Sequence, residues 1–294
     1  MLPRLADAAD PDFADLVGHH WAGPPGRPIV CVHALGGSQA HWTSVGPRLA
    51  ALGPVFAIDL PGFGRNPRGP GPATLEAGQR QLADTLRSVG PSVVIGSSFG
   101  GGVAMLQAAS EPATVRGLVL TGSMLPDGHG TPSQVRMHVV RRRLRQRGHD
   151  AMAALRALRN GDLRPNHASV HSYLLRGNAA NPATVDDAVV AASVRASSGR
   201  PLVSTWKTTL EAGRSSFALM TAPARFKSVI SAITCPVLVI HGALDRTVPV
   251  SAAHLVGLAR PDWTVEVLDG VGHLPHLEAT NRWLDLVTAW ITTV

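Results

Sequence analysis

Three side chains in this sequence, a serine at 98, an aspartate at 245 and a histidine at 273, have the types and order needed for nucleophilic chemistry. Ser98 is the centre of Gly96-Ser97-Ser98-Phe99-Gly100, and Ser97 fills a variable position of the same turn. Ser92-Val93-Val94-Ile95 before it reads as a short buried strand, and Gly101 to Ala109 after it reads as a helix. A Gly-x-Ser-x-Gly between strand and helix is a sharp elbow that lifts a serine hydroxyl to the end of a strand. Such a turn needs flanking residues without side chains. A serine hydroxyl is a weak nucleophile near neutral pH and requires a base, which in turn requires an orienting acid. Asp245 lies in Gly242-Ala243-Leu244-Asp245-Arg246-Thr247-Val248-Pro249, after an apolar run at 236–240. His273 lies between Asp269 and Glu278, after a second run at 264–268. Serine, acid, histidine is the chain order that accompanies the elbow. Asp127 also follows a strand and is the alternative acid, but its surroundings lack the Gly-x-x-Asp-x-x-Val-Pro context of Asp245.

These residues need a scaffold of strands that end together. Leu16 to Trp21 reads as an edge strand, and Ile29–Val32, Val55–Ile58 and Val115–Leu120 as buried ones. A helix is expected over about 41–52 and another over 75–89, with Thr74 as N-cap and Gly90-Pro91 as its stop. Short apolar strands alternating with helices predict a parallel sheet covered on both faces. In such sheets ligands bind beyond the carboxyl ends of the strands. His33-Ala34-Leu35, Asp59 and Ser98 all stand at such ends. The rhythm stops at 124 and resumes near 231, with helical periodicity in between, including Val185–Val194 and an arginine-rich helix at 135–147. Pro182 suits the first turn of a helix. Three segments follow: a core at 1–123, a helical insertion at 124–230 and a second part of the core at 231–294. A final helix carries Trp283, Leu286, Val287 and Trp290 at core spacing.

Composition narrows the classes. With 294 residues, 45% hydrophobic and 16% charged, the chain is globular, and no apolar run approaches the ~18–20 residues of a membrane span. Met1 to Asp15 carries four aspartates and no apolar stretch, so no secretory leader is expected and cytoplasmic residence follows. Cys31 and Cys235 are expected as small core residues rather than a disulfide or a metal pair. The net charge of +7 is uneven. Residues 124–230 hold 14 Arg and 2 Lys against 6 acidic residues, and the rest of the chain holds 11 Arg against 14. These arginines are expected to face solvent opposite the stripe Met137, Val140 and Leu144, the alternative being that they line the pocket and favour anionic substrates, and nucleic acid is not an expected partner because no aromatics are interleaved with them. His138, His167 and His171 show no metal-ligand spacing, and neither a metal nor a cofactor is expected.

In combination, His33-Ala34-Leu35-Gly36-Gly37-Ser38, Asp59-Leu60-Pro61-Gly62-Phe63-Gly64, Gly96 to Gly100, Gly242-x-x-Asp245 and Gly272-His273-x-Pro275 resemble the α/β-hydrolase superfamily over about residues 16–294. The resemblance implies an α/β-hydrolase fold, a mostly parallel sheet flanked by helices, with 124–230 as an all-helical cap. It implies Ser98 as nucleophile, His273 as general base and then acid, and Asp245 as the orienting carboxylate. It also implies an oxyanion hole from the backbone N–H groups of Leu35 and Phe99. Ala34 stands where the family usually has a glycine; if that position takes a positive φ, the loop carries strain. His33, His241 and His276 are expected as scaffold around the site, and Asp59 as an anchor for its own loop. Serine at the elbow disfavours the epoxide and halide chemistry of relatives that use aspartate there. The expected reaction is hydrolysis of a small-molecule carboxylic ester or related acyl bond through an acyl-enzyme. C–C bond hydrolysis, acyl transfer and cofactor-free haloperoxidase chemistry use the same three residues. A slow or non-catalytic ligand receptor on the same scaffold is the non-enzyme alternative.

Overall fold

The computed structural model describes residues 17–67, 69–126, 178–197 and 202–294. Seven strands form one sheet: β1 (Gly18–Trp21), β2 (Ile29–Val32), β3 (Val55–Ile58), β4 (Ser92–Ser97), β5 (Val115–Thr121), β6 (Val237–Gly242) and β7 (Thr264–Leu268). Their spatial order is β1-β3-β2-β4-β5-β6-β7. β1 pairs antiparallel with β3, and every other pairing is parallel. This is the α/β-hydrolase fold expected from the motifs.

β2 and β3 read as continuous apolar runs because both of their faces are covered. On β2, Val30 and Val32 join one core with Phe56 and Ile58 of β3 and Val94 of β4. Ile29 and Cys31 face the opposite core with Val55, Ala57, Val93 and Ile95. The first core is closed by α2 (Leu75–Val89) and α3 (Phe99–Ser110), the second by α1 (Gly46–Leu49) and the final helix. Both cysteines are free thiols, and burial pushes that of Cys31 far up.

α2 has the expected bounds, and Thr74 Oγ1 accepts from Ala77 N at 3.2 Å. The single helix expected over 41–52 is instead a 3₁₀ turn, Gln39–Trp42, followed by the four-residue α1. Pro47 is the reason: without an N–H it cannot bond back to residue 43, so a new helix starts there with proline in its first turn.

Between β5 and β6 the regular structure of the described residues is helical. A 3₁₀ turn at Pro182–Thr184 precedes α4 (Asp187–Ser197), α5 (Leu202–Met220) and α6 (Pro223–Ala232). Ala212, Leu219, Phe226 and Ile230 pack into the first core. Ser215 Oγ accepts from Leu75 N at 3.0 Å, so the insertion satisfies an N-terminal amide of α2 that has no partner in its own helix. The arginine-rich helix at 135–147, Asp127 and the histidines at 138, 167 and 171 lie outside the described residues. After β6 come α7 (Val250–Ala259), α8 (Pro275–Glu278) and α9 (Thr280–Ile291). Trp283 and Val287 are fully buried in the second core, while Leu286 and Trp290 are partly buried against it.

A cluster of buried rings lies under the site loops. His276 stacks on Trp42 at 4.6 Å, and His41 lies 6.5 Å from His33. Burial, reinforced by the charge of His33, pushes the His41 imidazole down to about 3, and burial likewise lowers His276. An unfolded histidine titrates near ~6.5. Below that pH the unfolded chain binds protons that these rings refuse in the fold. Stability is therefore full above ~6.5 and falls on acidification, by about 1.4 kcal/mol per pH unit per ring. Urea unfolding between pH 7.5 and 5.5 will show this loss. His41→Gln will have a shallower slope over the same range, and an unchanged slope would contradict the assignment.

Candidate active site

The site begins at one residue. β4 ends at Ser97 and α3 starts at Phe99, so the elbow is compressed into Ser98 alone. Both elements run closer to the turn than the sequence reading had them. Ser98 has φ 50° and ψ −110°, and among the described residues it is the one non-glycine with positive φ. The flanking glycines are a steric necessity. A Cβ on Gly96 would lie 2.6 Å from Gly100 O, and one on Gly100 would lie 2.2 Å from Val32 O. Strand, helix and the loop after β2 meet with no room for a methyl group.

Ser98 Oγ is 2.9 Å from His273 Nε2, and His273 Nδ1 is 2.7 Å from Asp245 Oδ2. All three residues are buried. A carboxylate can only accept, so Nδ1–H donates to Asp245 and the neutral ring presents Nε2 as acceptor to the serine hydroxyl. The structure thus brings the three predicted residues into one hydrogen-bonded chain from three different strand ends. The loops that carry Asp245 and His273 are also bonded directly to each other. Leu244 N donates to Val271 O at 2.8 Å and Ala243 N to Leu268 O at 3.0 Å. Gly242 is required by this approach, since a Cβ there would lie 2.0 Å from Gly272 O.

Asp245 is a buried anion with three donors and a share of a fourth. Oδ1 accepts from Thr247 N at 2.6 Å and Val248 N at 2.9 Å. Oδ2 accepts from His273, and His241 Nε2 shares its hydrogen between Val248 O at 2.9 Å and this oxygen at 3.2 Å. Burial alone would raise its titration, but the neighbouring His273 charge and the hydrogen bonds from His241 and His273 hold it well below the usual carboxylate range. Sequence reading had set His241 among the scaffold; its place four residues before Asp245, at the end of β6, was the available signal.

Phe99 is the first residue of α3, where amides have no partner within the helix and the positive end of the helix dipole lies. In the loop after β2, Gly37 N donates to Ala34 O at 2.9 Å across a turn containing Leu35 and Gly36. The left-handed position in this turn is Gly36, φ 73°, so the strain expected at Ala34 is absent. His33 ties this loop to the next one: Leu60 N donates to His33 Nε2 at 3.0 Å, and Nδ1 donates to Ala34 O at 2.8 Å. Asp59 anchors its surroundings by accepting from Gln39 N at 2.6 Å and Arg65 N at 2.8 Å. Among the described residues no cluster of His, Cys, Asp and Glu could hold a metal ion, and no helix is long and apolar enough to cross a membrane.

Residues 29–286 match the alpha/beta hydrolase family, and the chain belongs to that family. It is 27% identical over 279 residues to an uncharacterized protein of Mycobacterium tuberculosis, covering 91% of this chain and 76% of that one. It is 25% identical over 264 residues to the pimeloyl-[acyl-carrier protein] methyl ester esterase of Yersinia pseudotuberculosis, covering 88% and 91%. Among solved structures it resembles a meta-cleavage product hydrolase from Pseudomonas fluorescens, with TM-score 0.70, 20% identity and coverage of 94% and 93%.

The backbone at Ser98 costs about 1–3 kcal/mol of strain for a residue with a Cβ. Ser98→Gly should therefore be more stable than Ser98→Ala by about 1 kcal/mol in urea unfolding, with glycine's entropy loss offsetting part of the relief. Equal stability, or a more stable alanine variant, would show the turn to be unstrained.

Proposed function

We propose that the chain is a serine hydrolase that cleaves a carboxylic ester, or a related acyl bond, of a small molecule through an acyl-enzyme. The observation that carries this reading is the unbroken chain Ser98–His273–Asp245, with links of 2.9 and 2.7 Å. Ser98 Oγ attacks the acyl carbon while His273 Nε2 takes its proton. Asp245 holds the imidazole in the tautomer that presents Nε2 and stabilises the imidazolium as it forms. The N–H groups of Phe99 and Leu35 receive the negative charge on the acyl oxygen. As the tetrahedral species collapses, His273 returns the proton to the departing alcohol. A water molecule, deprotonated by His273, then attacks the ester on Ser98 and releases the acid.

Residues 124–230 act as a cap over this site, with α5 laid against the loop at Gly62, where a Cβ would meet Thr208 Cγ2 at 2.7 Å. The ester activity named for the Yersinia relative supports the substrate class. Ser98→Ala should lower kcat on short p-nitrophenyl esters by about 10⁶ with the far-UV circular dichroism unchanged. Undiminished hydrolysis by the folded variant would overturn the reading.

A further inference from the structure

The loop that carries His273 makes few bonds to itself at the base. Three successive N–H groups, those of Gly272, His273 and Leu274, point away from it and are taken up elsewhere. Glu278 accepts two of them, from Gly272 N to Oε2 and from Leu274 N to Oε1, each at 2.9 Å. The third, His273 N, donates to Asn178 O at 2.6 Å. The same Oε2 of Glu278 also accepts from Ala180 N at 2.7 Å. Asn178 reaches the acid loop as well: Thr247 Oγ1 donates to Asn178 Oδ1 at 3.0 Å, and Thr247 N donates to Asp245 Oδ1. Contact is close throughout, since a Cβ on Gly272 would lie 2.5 Å from Ala180 N. An apolar cluster backs these bonds, with Ala179, Val185, Val189 and Val190 of the insertion packed on Leu274 and Leu277.

We infer that Asn178 and Glu278 are positioning residues, through which residues 178–180 of the inserted segment set the His273–Asp245 pair. Acid and base sit on separate loops, and residues 178–180 bond to both. Removing this segment from its seat would leave the backbone N–H of His273 unpaired and break the Thr247 link to the acid loop. A misplacement of the base by about 1 Å can cost on the order of 10²-fold in rate. The position of the insertion is thereby coupled to the competence of the site. The kinetic consequences rest on the proposed roles of Ser98, His273 and Asp245; the geometric claim does not.

The test uses the full-length protein and three variants. Asn178→Ala removes the side-chain acceptor of Thr247, Asn178→Asp restores one, and Glu278→Gln puts an amide N–H₂ against the backbone donors. Three quantities are read at a temperature well below each melting point. They are kcat and KM for a p-nitrophenyl ester, the second-order rate of Ser98 labelling by a fluorophosphonate, and the low-field ¹H NMR resonance of His273 Nδ1–H. Asn178→Ala and Glu278→Gln should each lose tenfold or more in kcat and labelling rate, keep KM within about twofold, and broaden or lose the low-field proton. Asn178→Asp should recover to within about threefold of the wild type. Lowered melting points with unchanged kcat, labelling and resonance would reduce the clamp to a stability element and overturn the proposal. So would an Asn178→Asp variant as impaired as Asn178→Ala. If Glu278→Gln does not fold, the two Asn178 variants decide the matter. A wild type that neither labels nor turns over, but whose low-field proton is lost in Asn178→Ala, would uphold the clamp and defeat the hydrolase reading.

Discussion

The reversal of the chain at Ser98, in a single residue, constrains everything near the site. A turn that short brings the end of β4, the start of α3 and the loop after β2 to distances at which no side chain fits, which is why Gly96 and Gly100 are glycines. Ser98, the described non-glycine residue with a positive φ, bears the backbone strain, and its hydroxyl is carried at the strand end. The same compression places Phe99 N–H at the first position of a helix, where the dipole and unpaired amides favour negative charge. The proposed nucleophile and the proposed anion site are thus two consequences of one backbone feature.

The second constraint is the buried charge of Asp245. An isolated carboxylate in this position would be neutralised rather than tolerated. Two donors from its own loop, a third from His273 and a shared N–H from His241 prevent that. Keeping the acid ionised fixes the tautomer of His273, and the tautomer fixes which nitrogen meets Ser98. His41 and His276, held neutral by burial, add no standing positive charge beneath this chain.

The sequence carried the sheet plainly because buried parallel strands are short apolar runs, and α2 because Thr74 and Gly90 mark its ends. It carried Ser98, Asp245 and His273 because each sits in a local pattern that the geometry of a strand end demands. What it did not carry depends partly on local turn geometry and partly on neighbours distant in the chain. Pro47 breaks the helix expected over 41–52, a local signal that periodicity outweighed. Ala34 is unstrained because the left-handed position falls two residues later, on Gly36, which only the turn geometry reveals. Asn178 meets Thr247 across 69 residues and Glu278 meets Ala180 across 98, and no spacing rule reads such contacts from one sequence. His241 is visible at the end of β6, but its approach to Asp245 is set by the turn that follows.

The proposed mechanism requires Ser98 to become covalently acylated during turnover. Intact-protein mass spectrometry of enzyme quenched in acid while hydrolysing a slow p-nitrophenyl ester tests it directly. The expected result is a fraction heavier by one acyl group, mapped by peptide fragmentation to Ser98 and absent from Ser98→Ala. Turnover with no adduct on Ser98, or with the adduct on another residue, would contradict it.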